Sequence, residues 1–313
     1  MHRRNATLLI LLGFATAWIA SRGVGSPGYM DADYYFSMGQ QWAQGLGNEE
    51  PFLWNYLGQP ETIPTLSHGY WSPLTSIVIG LALRLFGTSF SIAQIPFVIF
   101  TGFLPFLVWR LALAMGSDPT TALQSGLLAL APGVFLPFFV TTDMFSIYAL
   151  LGVLLMLVLQ TKAERFNSVR WVVAGILCGL AHLSRADGFL FLVIPVAYVY
   201  LLPTGRWQKW GLLVFGYFLI MTPWFYRNLI LFGSPLNPAG GRTLWLLSYD
   251  EIFSFPAEIL TPERWWATGL KQILFERGSA ALIILQRIVA ENGLVFLAPF
   301  MFLGSRTQWK HAL

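Results

Sequence analysis

Phe90-Ser-Ile-Ala-Gln-Ile-Pro-Phe-Val-Ile-Phe-Thr-Gly-Phe-Leu-Pro-Phe-Leu-Val-Trp109 runs for twenty residues without a charge. At about 1.5 Å per residue, a helix of that length crosses the ~30 Å hydrocarbon core of a bilayer. Runs of similar character recur along the chain, at 6–20, 120–140, 143–161, 171–184, 188–203, 209–224 and 290–304. Together with 90–113 they make about eight spans, and the fold class is an all-α polytopic membrane helical bundle. Composition agrees, since 56% of the 313 residues are hydrophobic and 11% charged, against about 25% charged in soluble domains. The single Cys178 excludes an intrachain disulfide. The N-terminal run reads as an anchor, with a cleaved signal ending near Ala20-Ser21 as the alternative.

The formal net charge of +4 does not point to nucleic acid, because the basic residues stand singly in short loops. Placing the N-terminus in the cytoplasm puts Arg110, Lys162, Arg165, Arg170, Arg206, Lys209, Arg306 and Lys310 in cytoplasmic turns, as the positive-inside rule requires. Asp31, Asp33, Asp143, Asp187, Asp250 and Glu251 then all face the other compartment. The expected location is the inner or plasma membrane, multi-pass, with the working face extracytoplasmic. Segment 171–202 is too long for one crossing and carries Arg185 and Asp187 at its centre, so it reads as a helical hairpin bent there. A long first external loop covers 25–72. Ser72 to Phe86 is apolar but too short to span and reads as an interfacial helix, as does the amphipathic stretch 262–288.

That first loop opens with Met30-Asp31-Ala-Asp33-Tyr34-Tyr35, a carboxylate pair in an aromatic setting. Such a pair can act as acid or base or hold a divalent cation, Mg2+ or Mn2+, through oxygen ligands; the bland alternative is a helix cap. Arg185 and Arg227 lie near the interface, where a cation is costly unless paired or functional, and a guanidinium suits bidentate phosphate binding. His68 and Arg84 flank the short helix and could meet a lipid headgroup. Asp143 lies at the outer end of a span, where capping the next helix competes with a site role. Tyr35, with Tyr34, could offer a stacking surface or anchor the interface. No Cys/His spacing of the metal-binding kind occurs.

Four segments together resemble the GT-C superfamily of membrane glycosyltransferases, which take sugars from polyprenyl-phosphate carriers and include protein O-mannosyltransferases and aminoarabinose transferases. They are Asp31-Ala-Asp-Tyr-Tyr-Phe-Ser-Met-Gly-Gln-Gln-Trp-Ala-Gln-Gly45, His68-Gly-Tyr-Trp-Ser-Pro73-Leu74, Gly179-Leu-Ala-His-Leu-Ser-Arg185-Ala-Asp187-Gly188, and Pro223-Trp224-Phe-Tyr-Arg227-Asn228-Leu-Ile-Leu-Phe-Gly233-Ser-Pro235. The resemblance covers residues 1–240, expected to form the catalytic membrane module. Residues 241–313 are expected to add an extracytoplasmic amphipathic segment and a last span, in a chain shorter than such enzymes usually are.

The resemblance implies sugar transfer, with inversion, from a polyprenyl-phosphate donor to an acceptor on the extracytoplasmic face: a protein, a lipid or a polysaccharide. It implies Asp31 as the general base, Asp33 in support, and Arg185 on the carrier phosphate. Arg227, His68, Arg84, Asp143 and Tyr35 are the further substrate-binding candidates. A lipid-sugar flippase or transporter would instead favour midplane charges and repeated halves. A catalytically silent scaffold of the same family is the remaining alternative.

Overall fold

The computed structural model describes residues 2–160, 167–201 and 205–292. Helix α1 (His2–Arg22) is followed by α2 (Met30–Gln44), which stops at Gly45 in the left-handed region, φ 83°. The long loop then forms one antiparallel two-stranded ladder, β1 (Glu49–Glu50) with β2 (Thr65–Leu66), in which Glu50 pairs with Thr65. Helix α3 (Leu74–Phe86) leads to α4 (Phe90–Ala114), whose first turn is capped by Ser89 Oγ accepting from the Ile92 amide. Pro96 and Pro105 lie inside α4; packed membrane helices tolerate this because neighbours satisfy the freed backbone groups. Asp118 caps α5 (Pro119–Leu128) through the Thr120 and Thr121 amides, with Pro119 in the first turn. There follow α6 (Leu136–Val140), α7 (Phe145–Leu159), α8 (Asn167–Ser184), α9 (Val193–Leu201), α10 (Arg206–Phe232), α11 (Pro238–Arg242), α12 (Pro262–Ala267) and α13 (Leu270–Arg287).

Among the described residues, α1 and α4 are long and apolar enough to cross a membrane. The pair Pro119–Leu128 and Gly133–Val140, bent by 54°, makes a third if it is one broken span. Leu74–Phe86, Phe145–Leu159, Ser168–Ser184 and Ala186–Leu201 are shorter apolar helices. The count by length and composition is therefore two or three, against about eight expected. The difference arises because several expected spans are short helices and α10 carries Arg206, Lys209 and Arg227. Residues 293–313, with most of the expected last span, lie outside the described residues, as do Lys162, Arg165, Arg306 and Lys310.

Close packing depends on small residues. A Cβ on Gly13 would collide with the Gly102 carbonyl between α1 and α4, and one on Gly216 would collide with the Val172 carbonyl between α10 and α8. This is the small-residue helix contact of membrane bundles, where backbones approach closely in place of a hydrophobic driving force. Leu9 packs with Trp109, and one surface groove is lined by both Arg110 and Gln160. Arg3, Arg4 and Arg110 therefore share one end of the bundle with the end of α7. The opposite end carries α2, the loop ladder, and the turn after α8. There α8 stops at Ser184, Arg185 is extended, and a 3-10 stretch Ala186–Leu192 leads into α9. Gly188 lies directly against the Ala181 carbonyl, closing this hairpin.

Candidate active site

Asp31 occupies the first turn of α2, where the helix dipole favours an acid. The residue in the capping position is Tyr29, and no side chain caps the helix by a hydrogen bond. Asp31 is half-buried. Burial pushes its carboxyl above the usual range, and the Arg185 guanidinium pulls it back. Arg185 donates from Nε to Asp187 Oδ1 at 2.6 Å and remains partly open to solvent. Asp31 and Arg185 both act electrostatically on Tyr35, Tyr70 and Asp143. Five residues from four separate segments thus share one electrostatic neighbourhood.

The turn ahead of α7 is fastened to the start of α2. Asp143 is fully buried; it accepts from the Tyr29 hydroxyl and, at 2.5 Å, from the Met144 amide. Burial raises it to about 6 despite those bonds, with Asp31 adding repulsion. Thr142 Oγ1 donates to the Ala32 carbonyl at 3.0 Å, and Gln94 Nε2 donates to the carbonyls of Val24 and Val140 at 3.2 Å each. These bonds fix where Asp31 sits relative to α4 and α7.

His68 and Arg227 belong to a second, buried group beside this one. His68 has φ 57°, an uncommon conformation for a residue other than glycine, although His adopts it more readily than most, and is fully buried. Its Nδ1 lies 3.1 Å from Ser67 Oγ and its Nε2 3.1 Å from Ser76 Oγ. Burial, aided by Arg227, drives it down to about 3, so it is a neutral imidazole with both nitrogens occupied. Its amide donates to the Tyr34 hydroxyl at 3.0 Å, which in turn donates to Glu50 Oε2 at 2.9 Å. The Arg227 guanidinium donates to the Ser67 carbonyl at 2.8 Å, to Asn48 Oδ1 at 3.3 Å and to Asn228 Oδ1 at 3.1 Å. It stacks over Trp224 at 4.7 Å. Arg227 thus ties the end of α10 to the first loop and is not among the groups acting on Asp31.

Asp33 is exposed. Two residues along a helix is about 200° of rotation, so the two carboxylates point to different sides and offer no shared oxygen face. Among the described residues no group of three or more His, Cys, Asp or Glu converges. A divalent cation there would rest on the Asp31 carboxylate, with its other positions taken by waters and phosphate oxygens, as Mg2+ commonly binds. Arg84 is exposed in the last turn of α3, eight residues and about 12 Å along the helix from Ser76.

The sequence reading missed three features. Tyr29 and Tyr70 join the Asp31 group, and Glu50 is buried beneath the loop. Residues 235–260 also dock onto that loop: Leu57, Ala239, Ile252 and Leu260 form a small separate core, and Arg242 donates to the Leu57 carbonyl. Only the aromatic crowding around Tyr70-Trp71 signals any of this in the sequence.

A helical membrane bundle with an acid–aromatic first loop and a basic hairpin turn on the same end defines the GT-C class of membrane glycosyltransferases. The family model for Dolichyl-phosphate-mannose-protein mannosyltransferase matches residues 68–226, just over half of the chain, and the chain belongs to that family. Curated relatives include the Undecaprenyl phosphate-alpha-4-amino-4-deoxy-L-arabinose arabinosyl transferases of Pseudomonas aeruginosa strains LESB58 and UCBPP-PA14. Each is 26% identical over 239 residues, covering 72% of this chain and 40% of the relative. The chain thus spans about 40% of the length of these relatives. No solved structure matches. The matched range contains His68, Arg84, Asp143 and Arg185, whereas Asp31 lies ahead of it and Arg227 one residue beyond.

Proposed function

We propose that the chain transfers a sugar from a polyprenyl-phosphate donor to an acceptor nucleophile on the extracytoplasmic face, with Asp31 as general base and Arg185 holding the carrier phosphate. The observation that carries this reading is a half-buried carboxylate within electrostatic reach of a guanidinium at one end of the bundle. The acceptor's O–H or N–H proton passes to Asp31 while its lone pair forms the new bond at the anomeric carbon. The bond from that carbon to the phosphate oxygen breaks, and its electron pair leaves with the carrier phosphate. Arg185, and an interface poor in water, stabilise the charge that develops there. Burial of Asp31 makes it a stronger base than a solvated carboxylate, while Arg185 favours its ionised form.

Asp143, Thr142 and Tyr29 position α2 and do not touch the reacting atoms in this account. Tyr70 borders the space where the sugar would lie, whereas Tyr35 is buried in the main core behind it. Arg227 and His68 brace the loop beneath it, and the helices supply the bed for the polyprenyl tail. The relatives' names specify undecaprenyl-phosphate-linked aminoarabinose, and a related glycosyl donor is the first one to offer this chain.

The test is consumption of a panel of radiolabelled polyprenyl-phosphate sugars by membranes containing the chain or its Asp31→Asn variant. Consumption of one donor by the wild type alone supports both class and base. Consumption of none by either protein would remove the transferase reading.

A further inference from the structure

Under the first external loop lies a cavity of about 60 Å³, lined by Tyr34, Glu50, Asn55, Thr65, Tyr70 and Phe232 among others. Exposed Leu53 and Leu66 also border it, so it communicates with the outer surface. One water needs roughly 10–15 Å³ of such space, so a few waters or one small polar group fit. Glu50 is only 7% exposed. One of its oxygens accepts from the Tyr34 hydroxyl at 2.9 Å, and no Lys or Arg forms an ion pair with it among the described residues. Arg227, which covers Phe232 at 5.2 Å, hydrogen-bonds to Ser67, Asn48 and Asn228 instead.

A buried carboxylate without a cation is costly, and proteins pair such groups or leave them protonated. Here the missing charge has a place to sit. Two tyrosine rings, Tyr34 and Tyr70, border the same space as the carboxylate, and aromatic rings attract cations; Phe232 is already covered by Arg227. Asn55 and Thr65 add neutral oxygen atoms for N–H donors. A single ammonium, with three N–H donors and a compact charge, matches one carboxylate, neutral acceptors and aromatic walls.

We propose that this cavity is a binding site for a primary ammonium group, carried by a carbohydrate or by a lipid headgroup, with Glu50 as its counter-ion. Tyr70 belongs both to this cavity and to the Asp31 neighbourhood, so the bound amine lies next to the transfer site and orients the molecule that bears it. The inference stands apart from the roles given to Asp31 and Arg185, and its test requires no transfer. Burial raises Glu50 to about 7. The titratable and charged groups packed around it are Tyr34, Tyr70, neutral His68 and Arg227, of which the tyrosines stay protonated across the neutral range. Binding therefore strengthens as pH rises through neutrality and Glu50 ionises.

The experiment is calorimetric titration of the full chain in phosphatidylglycerol nanodiscs, which contain no amine. Ethanolamine and glucosamine are the probes, with ethylene glycol and N-acetylglucosamine as uncharged counterparts. At about pH 8, where Glu50 is ionised, saturable binding of at least one amine and of neither counterpart is expected. It should weaken at least tenfold in Glu50→Gln, and in the wild type by about tenfold per pH unit below 7. Glu50→Gln keeps an acceptor for Tyr34, and Glu50→Asp, which keeps the charge, should retain binding; together they separate loss of charge from loss of fold. Tighter glucosamine assigns the site to carbohydrate and tighter ethanolamine to a lipid headgroup. Binding unaltered in Glu50→Gln, equal binding of the uncharged counterparts, or no binding of either amine would overturn the proposal.

Discussion

Asp143→Asn should alter the pH dependence of stability in a way that can be worked out beforehand. The Asp143 side chain is fully buried, and its carboxyl is raised from an ordinary 3.8 to about 6, chiefly by burial. The folded chain therefore keeps this proton up to about pH 6, whereas the unfolded chain releases it near 3.8. Between those values the folded state binds the extra proton, so stability falls as pH rises. Roughly two pH units at about 1.4 kcal/mol each make a penalty of about 3 kcal/mol. It is absent below about pH 4, grows through the window and is complete above about pH 6.

Tryptophan fluorescence can follow unfolding of the chain in lipid nanodiscs, with 13 Trp as reporters. Subtracting the Asn variant's curve removes every pH effect the two share. The wild type should lose about 3 kcal/mol relative to the variant between about pH 4 and 7. Because Asp31 contributes to the shift, Asp31→Asn should narrow the window from its upper edge. Parallel curves for wild type and Asp143→Asn would refute the burial argument. A window unmoved in Asp31→Asn would refute the closeness of the two carboxylates on which the site is built.

Arg185→Gln should lower kcat/KM for transfer by about 100- to 1000-fold, the usual loss when a transition-state charge loses its partner, with Arg185→Lys between the two; an unchanged kcat/KM would release Arg185 from the phosphate. Ser76→Ala removes the partner 3.1 Å from His68 Nε2 and should cost about 1–3 kcal/mol in unfolding measurements, while transfer per folded molecule stays near wild type. Gly216→Val forces a side chain against the Val172 carbonyl and should destabilise the α8–α10 contact by about 1–3 kcal/mol or more; a melting temperature equal to wild type would show that the helices can separate freely.

How far the sequence alone reaches differs between parts of the molecule. The break after Ser184 is readable because Arg185 and Asp187 interrupt an apolar run too long for one crossing. Gathering of acids at one end follows from the same charge pattern. Helical rotation is harder to read from a short motif: Asp31 and Asp33 look like a pair in the sequence, yet two positions along a helix face different ways. Burial is harder still. Nothing near Glu50 marks it as buried, since the groups covering it come from α2, β2 and the end of α10. The Tyr29–Asp143 bond joins residues 114 apart, and only folding brings them together. Arg227 has the chemistry of a phosphate ligand, and its hydrogen bonds to Ser67 and Asn48 join it to partners far from it in the chain, which no local motif announces.

Asp31, and not its neighbour Asp33, is the group we propose to remove the acceptor proton. One transfer assay with wild type, Asp31→Asn and Asp33→Asn, each in its folded form, tests that role most directly. Asp31→Asn should lose at least about 100-fold in kcat, as loss of a general base does, and Asp33→Asn should stay within about threefold of wild type. Equal loss in both variants, or normal turnover in Asp31→Asn, would contradict it.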